Sequence, residues 1–151
     1  MVCPELPDSS LATRLLLRYY QELDCRLPDG FDLDLTVAVA ATELVAPQGT
    51  FLVAYLDGRA VGCGAARMLD TRTAEIKRMW IDPTVRGRGV GSRLLAALEA
   101  RVRELGCQSV RLDTSAHLTE ALALYRSHDY SNIPAYNNNP YAAHWLEKQL
   151  I

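Results

Sequence analysis

The chain has 151 residues, 49% hydrophobic and 23% charged, with a formal charge of -2 and a pI near 5.9. That length suits a single domain, 1–151, with a core large enough to close without a disulfide or a metal. The mild acidity argues against general nucleic-acid binding, and no apolar run reaches the roughly 18 residues of a membrane span. Residues 2–6 then read as a short first strand. Asp8, Ser9 and Ser10 offer N-cap oxygens, and Leu11, Leu15, Tyr19 and Leu23 recur every fourth residue, a helical stripe that stops near Pro28-Asp29-Gly30. A second, shorter helix is expected over 34–44, with Leu35, Ala38 and Val39 inward, before Pro47.

Thr50 to Leu56 is β-branched and aromatic, hence a strand, and Asp57-Gly58 predicts a two-residue hairpin turn. The returning strand runs over 61–69, where Gly62 and Gly64 indicate close backbone approach or a bulge. A strand over 73–81 ends at Asp82-Pro83. The helix that comes next carries Leu94, Leu95, Leu98, Val102 and Leu105 on one side, with Glu99 and Arg103 expected as a surface pair on the other and Gly106 as the C-terminal cap. A strand over 109–113 follows, then a helix opened by Ser115 or Thr119 with Leu118, Leu122 and Tyr125 one above another. Two last strands, 130–135 and 143–150, are joined through Tyr136-Asn137-Asn138-Asn139-Pro140. The strand–helix–strand unit over 73–113 must be parallel with a right-handed crossover, so the sheet is mixed.

Between strand 73–81 and its helix lies Val85-Arg86-Gly87-Arg88-Gly89-Val90-Gly91-Ser92-Arg93. A helix start leaves N–H groups without intrahelical partners and carries the positive end of the dipole. Glycines let those groups approach a bound anion. The stretch therefore reads as a cradle for a phosphate or pyrophosphate; a tight connection that binds nothing would need one glycine, not three at alternate positions. The spacing fails both the G-x-G-x-x-G dinucleotide fingerprint and the G-x-x-x-x-G-K-S/T phosphate loop.

What fits is Arg86-x-x-Gly89-x-Gly91, which resembles the acetyl-CoA pyrophosphate loop of the GCN5-related N-acetyltransferases (GNAT family), Q/R-x-x-G-x-G/A. Glu75 to Pro83 looks like that family's core strand, and the element order matches over nearly the whole chain. Ala121-Leu122-Ala123-Leu124-Tyr125-Arg126-Ser127-His128-Asp129-Tyr130 is similar to its second cofactor motif, A-x-x-L-Y-x-x-x-G-F/Y, with Asp129 where glycine is usual. Asp tolerates left-handed backbone better than most residues. The resemblance implies the α/β GNAT acyl-CoA N-acyltransferase fold: a mixed, mostly antiparallel sheet of about six or seven strands with about four helices. Its two central parallel strands splay apart where the pantetheine arm enters.

The resemblance also implies an acetyl-CoA-dependent N-acetyltransferase that moves acetyl directly to a primary amine of a small molecule or peptide. Two other readings stay open, a non-catalytic acyl-CoA-binding module and a transferase of another acyl group. In the implied site, Arg86, Gly87, Arg88, Gly89, Val90, Gly91 and Ser92 hold the pyrophosphate. Backbone groups of Met79, Trp80 and Ile81 meet the thioester arm. Glu75 is either the general base or a partner of Lys77, Arg78 or Arg67. Tyr125 either protonates the departing thiolate or merely packs under the cofactor. An ordinary tyrosine, near pKa 10, donates to a thiolate only weakly unless its site tunes it.

Cys3, Cys25, Cys63 and Cys107 are far apart and read as free thiols, and neither they nor His117, His128 and His144 have metal-site spacing, so no metal is expected. Asn139 to Trp145 resembles a signature of one bacterial-type subgroup of the family; His144, Tyr136 and Tyr141 either line the acceptor pocket or pack in the core. A homodimer through an exposed last strand with Trp145 fits the family's habit. Met1–Glu5 lacks the basic start and apolar core of a signal peptide, so the expected place is the cytoplasm.

Overall fold

Three strands rich in apolar residues over 49–81, buried on both faces, build an antiparallel meander that the first residues of the chain extend. In the computed structural model, which describes residues 1–150, β1 (Val2–Pro4), β2 (Gly49–Leu56), β3 (Arg59–Met68) and β4 (Thr73–Ile81) pair antiparallel in that order. Asp57 and Gly58 form the β2–β3 turn with φ of 53° and 77°, the pair of positive angles that a tight hairpin requires. β5 (Ser109–Thr114) joins β4 in parallel, and β7 (His144–Gln149) lies between β5 and the two-residue β6 (Ser131–Asn132). The last strand is therefore inside a seven-stranded sheet, and the expected exposed edge at Trp145 is not formed. Strand 130–135 shrinks to Ser131–Asn132: the Ile133 N–H still donates to the Trp145 carbonyl, and Pro134, with no N–H to give, does not extend the ladder.

Two helices sandwich the sheet. α1 (Ser10–Arg26) starts on Ser9, whose Oγ accepts from the Ala12 N–H, and lays Ala12, Leu15 and Leu16 against Phe51, Val53, Cys63, Ala65 and Trp80. α2 (Val90–Glu104) covers the opposite face, packing Leu94, Leu95, Leu98 and Val102 on Leu52, Ala66, Ala74, Ile76, Val110 and Leu112. Burying a Leu or Val of this kind contributes about 1.5–3 kcal/mol. α3 (Thr119–Ser127) adds Tyr125 to the α2-side core. It ends with Asp129 at φ 71°, so the aspartate takes the left-handed position of the usual glycine. Glu99 is not on the surface: it is buried, accepting from the Tyr130 hydroxyl at 2.8 Å and pairing with Lys148 at 2.9 Å. The reason is the helical period, which sets residue 99 four positions after Leu95 on the core side.

The helix expected over 34–44 does not form. Two 3-10 turns, Leu33–Leu35 and Ala41–Leu44, take its place. Thr36, Val37 and Val39 are β-branched, which disfavours helix, and Leu33, Leu35 and Val37 are exposed. Only Val39 and Leu44 reach the α1-side core, too little packing to hold a short helix together.

Two features of β4 shape the site. It pairs with β5 only at Thr73–Ser109, Ala74–Val110 and Glu75–Arg111, and from Ile76 onward the parallel strands part. Against β3, Cys63 faces Trp80 and Ala65 faces Lys77, so Gly64 stands opposite both Arg78 and Met79. That is a β-bulge, with Arg78 at φ 56°. Gly64 is needed there: a Cβ on it would sit 2.9 Å from Leu98 Cδ1, so α2 packs directly on its backbone.

Candidate active site

The turn after β4 is a short 3-10 segment, Pro83–Val85, fixed by Asp82, whose Oδ1 accepts from the Thr84 N–H at 2.9 Å. Gly87 and Gly89 both have φ of 80°, an angle that side-chain-bearing residues rarely adopt, and a Cβ on either would meet nothing within 4 Å. Gly89 caps α2, and no side chain bonds to the first N–H groups of the helix. This is the geometry of the anion cradle: left-handed glycines, open space and an uncapped helix start.

A cavity of about 270 Å³ runs from this loop along β4. It is lined by Met79, Trp80, Ile81, Arg86, Gly87, Gly89, Val90, Gly91 and Ser92. Arg88 is the one expected loop residue that does not line it. The Arg86 guanidinium is turned onto α1, donating to both Glu22 oxygens at 2.8 Å, while its Nε donates to the Ile81 carbonyl at 3.1 Å. Glu22 also accepts from Trp80 Nε1 at 3.1 Å and pairs with Arg26, which reaches Glu120 on α3. Burial alone would raise the Glu22 pKa, but the Arg86 and Trp80 hydrogen bonds hold it below the usual carboxylate range. Glu22 was not legible as a site residue, because nothing in the stripe of α1 marks the helix as reaching the loop.

A second cavity, of about 400 Å³, opens on the α1 side of the gap between β4 and β5. Tyr20, Phe31, Lys77, Arg78, Asp113 and Tyr141 are among its lining residues. The two cavities share Tyr19, Leu23, Met79, Leu118, Ala121 and Tyr125. They are thus one cleft with its waist at the bulge and at Tyr125, beyond the point where the parallel strands separate, the place where α/β sheets bind ligands.

Tyr125 is 6% exposed, and its hydroxyl has no hydrogen-bond partner among the described residues. No fully buried side-chain polar atom of the described residues goes unpartnered, so that oxygen opens onto the cleft. Burial first, then the Asp113 carboxylate, push the Tyr125 pKa well above the ordinary phenol value. The site tunes this tyrosine away from ionisation, which leaves it a neutral hydrogen-bond donor. Tyr19, at the same waist, is raised likewise by burial and then by Tyr125.

Glu75 lies at the last paired position before the gap but lines neither cavity. It is 1% exposed. One oxygen accepts from Arg67 Nε at 3.0 Å and lies 3.3 Å from Lys77 Nζ; the other accepts from the Tyr136 hydroxyl at 2.7 Å. Of the two roles the sequence leaves open for Glu75, this geometry supports the ion pair. Tyr136 is likewise occupied there, Tyr141 lines the second cavity and His144 lines neither. Cys63 is buried, which pushes its thiol up to about 12 and removes it as a nucleophile. All four cysteines are free, and among the described residues no group of three or more His, Cys, Asp or Glu could hold a metal.

Comparison with known proteins bears on this cleft. Residues 12–130 match the family model described as the acetyltransferase (GNAT) family. A protein named IAA acetyltransferase from Azospirillum brasilense is 34% identical over 119 residues, covering 78% of this chain and 77% of its own. A crystal structure from Klebsiella pneumoniae, of a protein provisionally named an acyl-CoA N-acyltransferase, superposes with a TM-score of 0.77 at 31% identity over 100% of this chain and 97% of that one. A GNAT family acetyltransferase from Elizabethkingia anophelis, solved with acetyl-CoA bound, shares the fold at a TM-score of 0.69 and 16% identity, over 99% and 97% of the two chains.

Proposed function

As a member of the acetyltransferase (GNAT) family, and so an N-acetyltransferase, the chain, we propose, moves an acetyl group from acetyl-CoA directly to a primary amine bound in the second cavity. The observation that carries this reading is the continuity of the cleft: an anion cradle at one end, an aromatic cavity at the other, and Met79 and Tyr125 between them. The residues fit the cosubstrate. Left-handed Gly87 and Gly89 clear the approach to the uncapped start of α2 for a pyrophosphate, and the narrow cavity along Met79–Ile81 suits an extended arm. Arg86 is held by Glu22 on α1 and would be shared with the incoming anion. Bound acetyl-CoA supplies an activated thioester.

The chain's own residues then orient and donate. The bulge at Arg78–Met79 interrupts the ladder beside the waist, and backbone N–H groups of this stretch are the donors for a developing oxyanion. Tyr125 donates a hydrogen bond to the departing sulfur; because its pKa is raised, it steadies the thiolate rather than giving up its proton outright. Glu75 holds Lys77 and Tyr136 in place beside the gap.

Tyr125→Phe tests the waist. The ring and its packing stay, and no hydrogen bond within the protein is lost. We expect kcat to fall about 10–100-fold, at the low end of acid–base effects, while KM for acetyl-CoA stays within about 3-fold, the pattern of an interaction made only in the transition state. Steady-state kinetics with any accepted amine reads both. An unchanged kcat would reduce Tyr125 to packing.

A further inference from the structure

Two carboxylates flank the gap between β4 and β5 on the α1 side, and their surroundings differ. Glu75 is already balanced by Arg67 and Lys77. Asp113, at the end of β5, has no Lys or Arg within ion-pair distance among the described residues. Its partners are two neutral amides from the loop after β6: Asn137 Nδ2 donates to one oxygen at 2.6 Å, and Asn139 Nδ2 to the other at 3.0 Å.

The network fixes those amides. The Asn137 side-chain oxygen accepts from Trp145 Nε1 at 3.0 Å and from the Asn139 N–H at 3.2 Å, and the Asn139 side-chain oxygen accepts from the Tyr141 N–H at 3.0 Å. Neither amide can turn over without losing these bonds. The run of asparagines is thus a clamp that aims a carboxylate and leaves its charge uncompensated. A carboxylate offers about four acceptor positions, and two remain. Asp113 lines the second cavity, whose waist Tyr125 completes. A partly buried anion in such a place is costly unless a cation joins it.

The other charges of the cavity do not supply that cation. Lys77 is on Glu75, and the Arg78 guanidinium donates to the Val39 carbonyl at 3.3 Å. Asp34 is the only other acid among the lining residues, and it is exposed. Thr36, Thr114, Ser115 and Asn139 are neutral, and one side of the wall is flat and aromatic: Tyr20 stacks on Phe31 at 5.6 Å and 11°, and Phe31 meets Tyr141 at 5.1 Å. The Tyr141 hydroxyl accepts from the Asp32 N–H at 2.7 Å, so the same loop fixes this wall.

We propose that the acceptor is a primary amine with one positive charge and a flat apolar body, its ammonium on Asp113 and its body on the Tyr20–Phe31–Tyr141 wall. This rests on the N-acetyltransferase reading. A polyamine or an aminoglycoside would bring several charges to a cavity with one placed carboxylate. In the transfer, Asp113 takes one ammonium proton and passes it to solvent. The nitrogen lone pair forms the N–C bond as the C–S bond breaks, and the nitrogen's second proton goes to the departing sulfur.

The test uses the whole chain saturated with CoA and two probes, the cation N,N-dimethylphenethylamine and the neutral phenethyl alcohol. Wild type should bind the cation about 10–100-fold tighter, the worth of a charged hydrogen bond. In Asp113→Asn that ratio should collapse to within about 3-fold with CoA affinity held, while the melting temperature falls by a few degrees because the new amide nitrogen faces one of the Asn137 and Asn139 donors. A ratio equal in the two proteins overturns the assignment; a purely structural role would lower the melting temperature and leave the ratio alone. Wild type gives a second reading that needs no variant: kcat/KM for phenethylamine should exceed that for spermidine by about 10-fold or more, and the reverse order overturns the proposed class. Acetylation of amines with an unchanged ratio strikes this inference alone, whereas acetylation of no amine strikes the reading beneath it.

Discussion

Gly89→Trp is expected to abolish acetyl-CoA binding, a loss of at least about 100-fold in titration calorimetry, roughly the 3 kcal/mol that an anion forfeits with its charge-assisted hydrogen bonds. The indole would stand in the open space at the start of α2, where a Cβ now meets nothing within 4 Å. Part of the effect is strain, because φ is 80° there and an L side chain in that region costs roughly 1–2 kcal/mol. Gly58→Ala separates the two. Gly58 has φ of 77° and equally open surroundings, but it sits in the β2–β3 turn and lines neither cavity of the cleft. It should carry the strain and lose a few degrees of melting temperature while binding acetyl-CoA like wild type. Retained binding in Gly89→Trp would mean that the pyrophosphate lies elsewhere.

The second large effect is on stability. Glu75→Ala removes the centre of a buried cluster and leaves Arg67, Lys77 and Tyr136 without their carboxylate. Breaking a buried pair from one side costs about 3–5 kcal/mol. For a chain of this size that is a drop of about 6–20 °C in melting temperature. Glu75→Gln tells the two roles apart. It keeps the shape and an acceptor for Tyr136, yet loses the charge that holds Lys77. The cluster geometry predicts a lowered melting temperature and a kcat within about 10-fold of wild type, short of the 100-fold or more that a lost general base costs. A stable Glu75→Gln protein with kcat reduced about 1,000-fold would restore Glu75 as the base.

Much of this was legible in the sequence where local chemistry decides the outcome. The Asp57-Gly58 turn, the glycines of the 87–91 loop and the crossover from β4 to β5 each follow from backbone rules that need no distant partner. Gly64 also announced itself, although only the structure tells that it serves both the bulge and the close approach of α2. What stayed hidden depends on partners far along the chain. Glu99 looked like a surface acid because its partners, Tyr130 and Lys148, come from the turn after α3 and from β7. Asp113 looked like the end of a strand, and Asn137–Asn139 like a polar linker, until the fold brought them together. The 34–44 segment failed for the opposite reason: its apolar residues suggested a helix, but Leu35 and Val37 are exposed and only Val39 and Leu44 reach the α1-side core. Tyr125 was placed by motif, whereas its raised pKa comes from burial and from Asp113 and could not be read from neighbours in sequence.

The most direct test of direct acetyl transfer is mass spectrometry of purified protein mixed with acetyl-CoA, with and without a panel of primary amines. Direct transfer gives an acetylated amine and one free CoA for each turnover, and no acetyl group on the protein when amine is withheld. An acetylated protein formed without amine would contradict direct transfer. Bound acetyl-CoA that stays intact against every amine would make the cleft a binding site and not a catalyst.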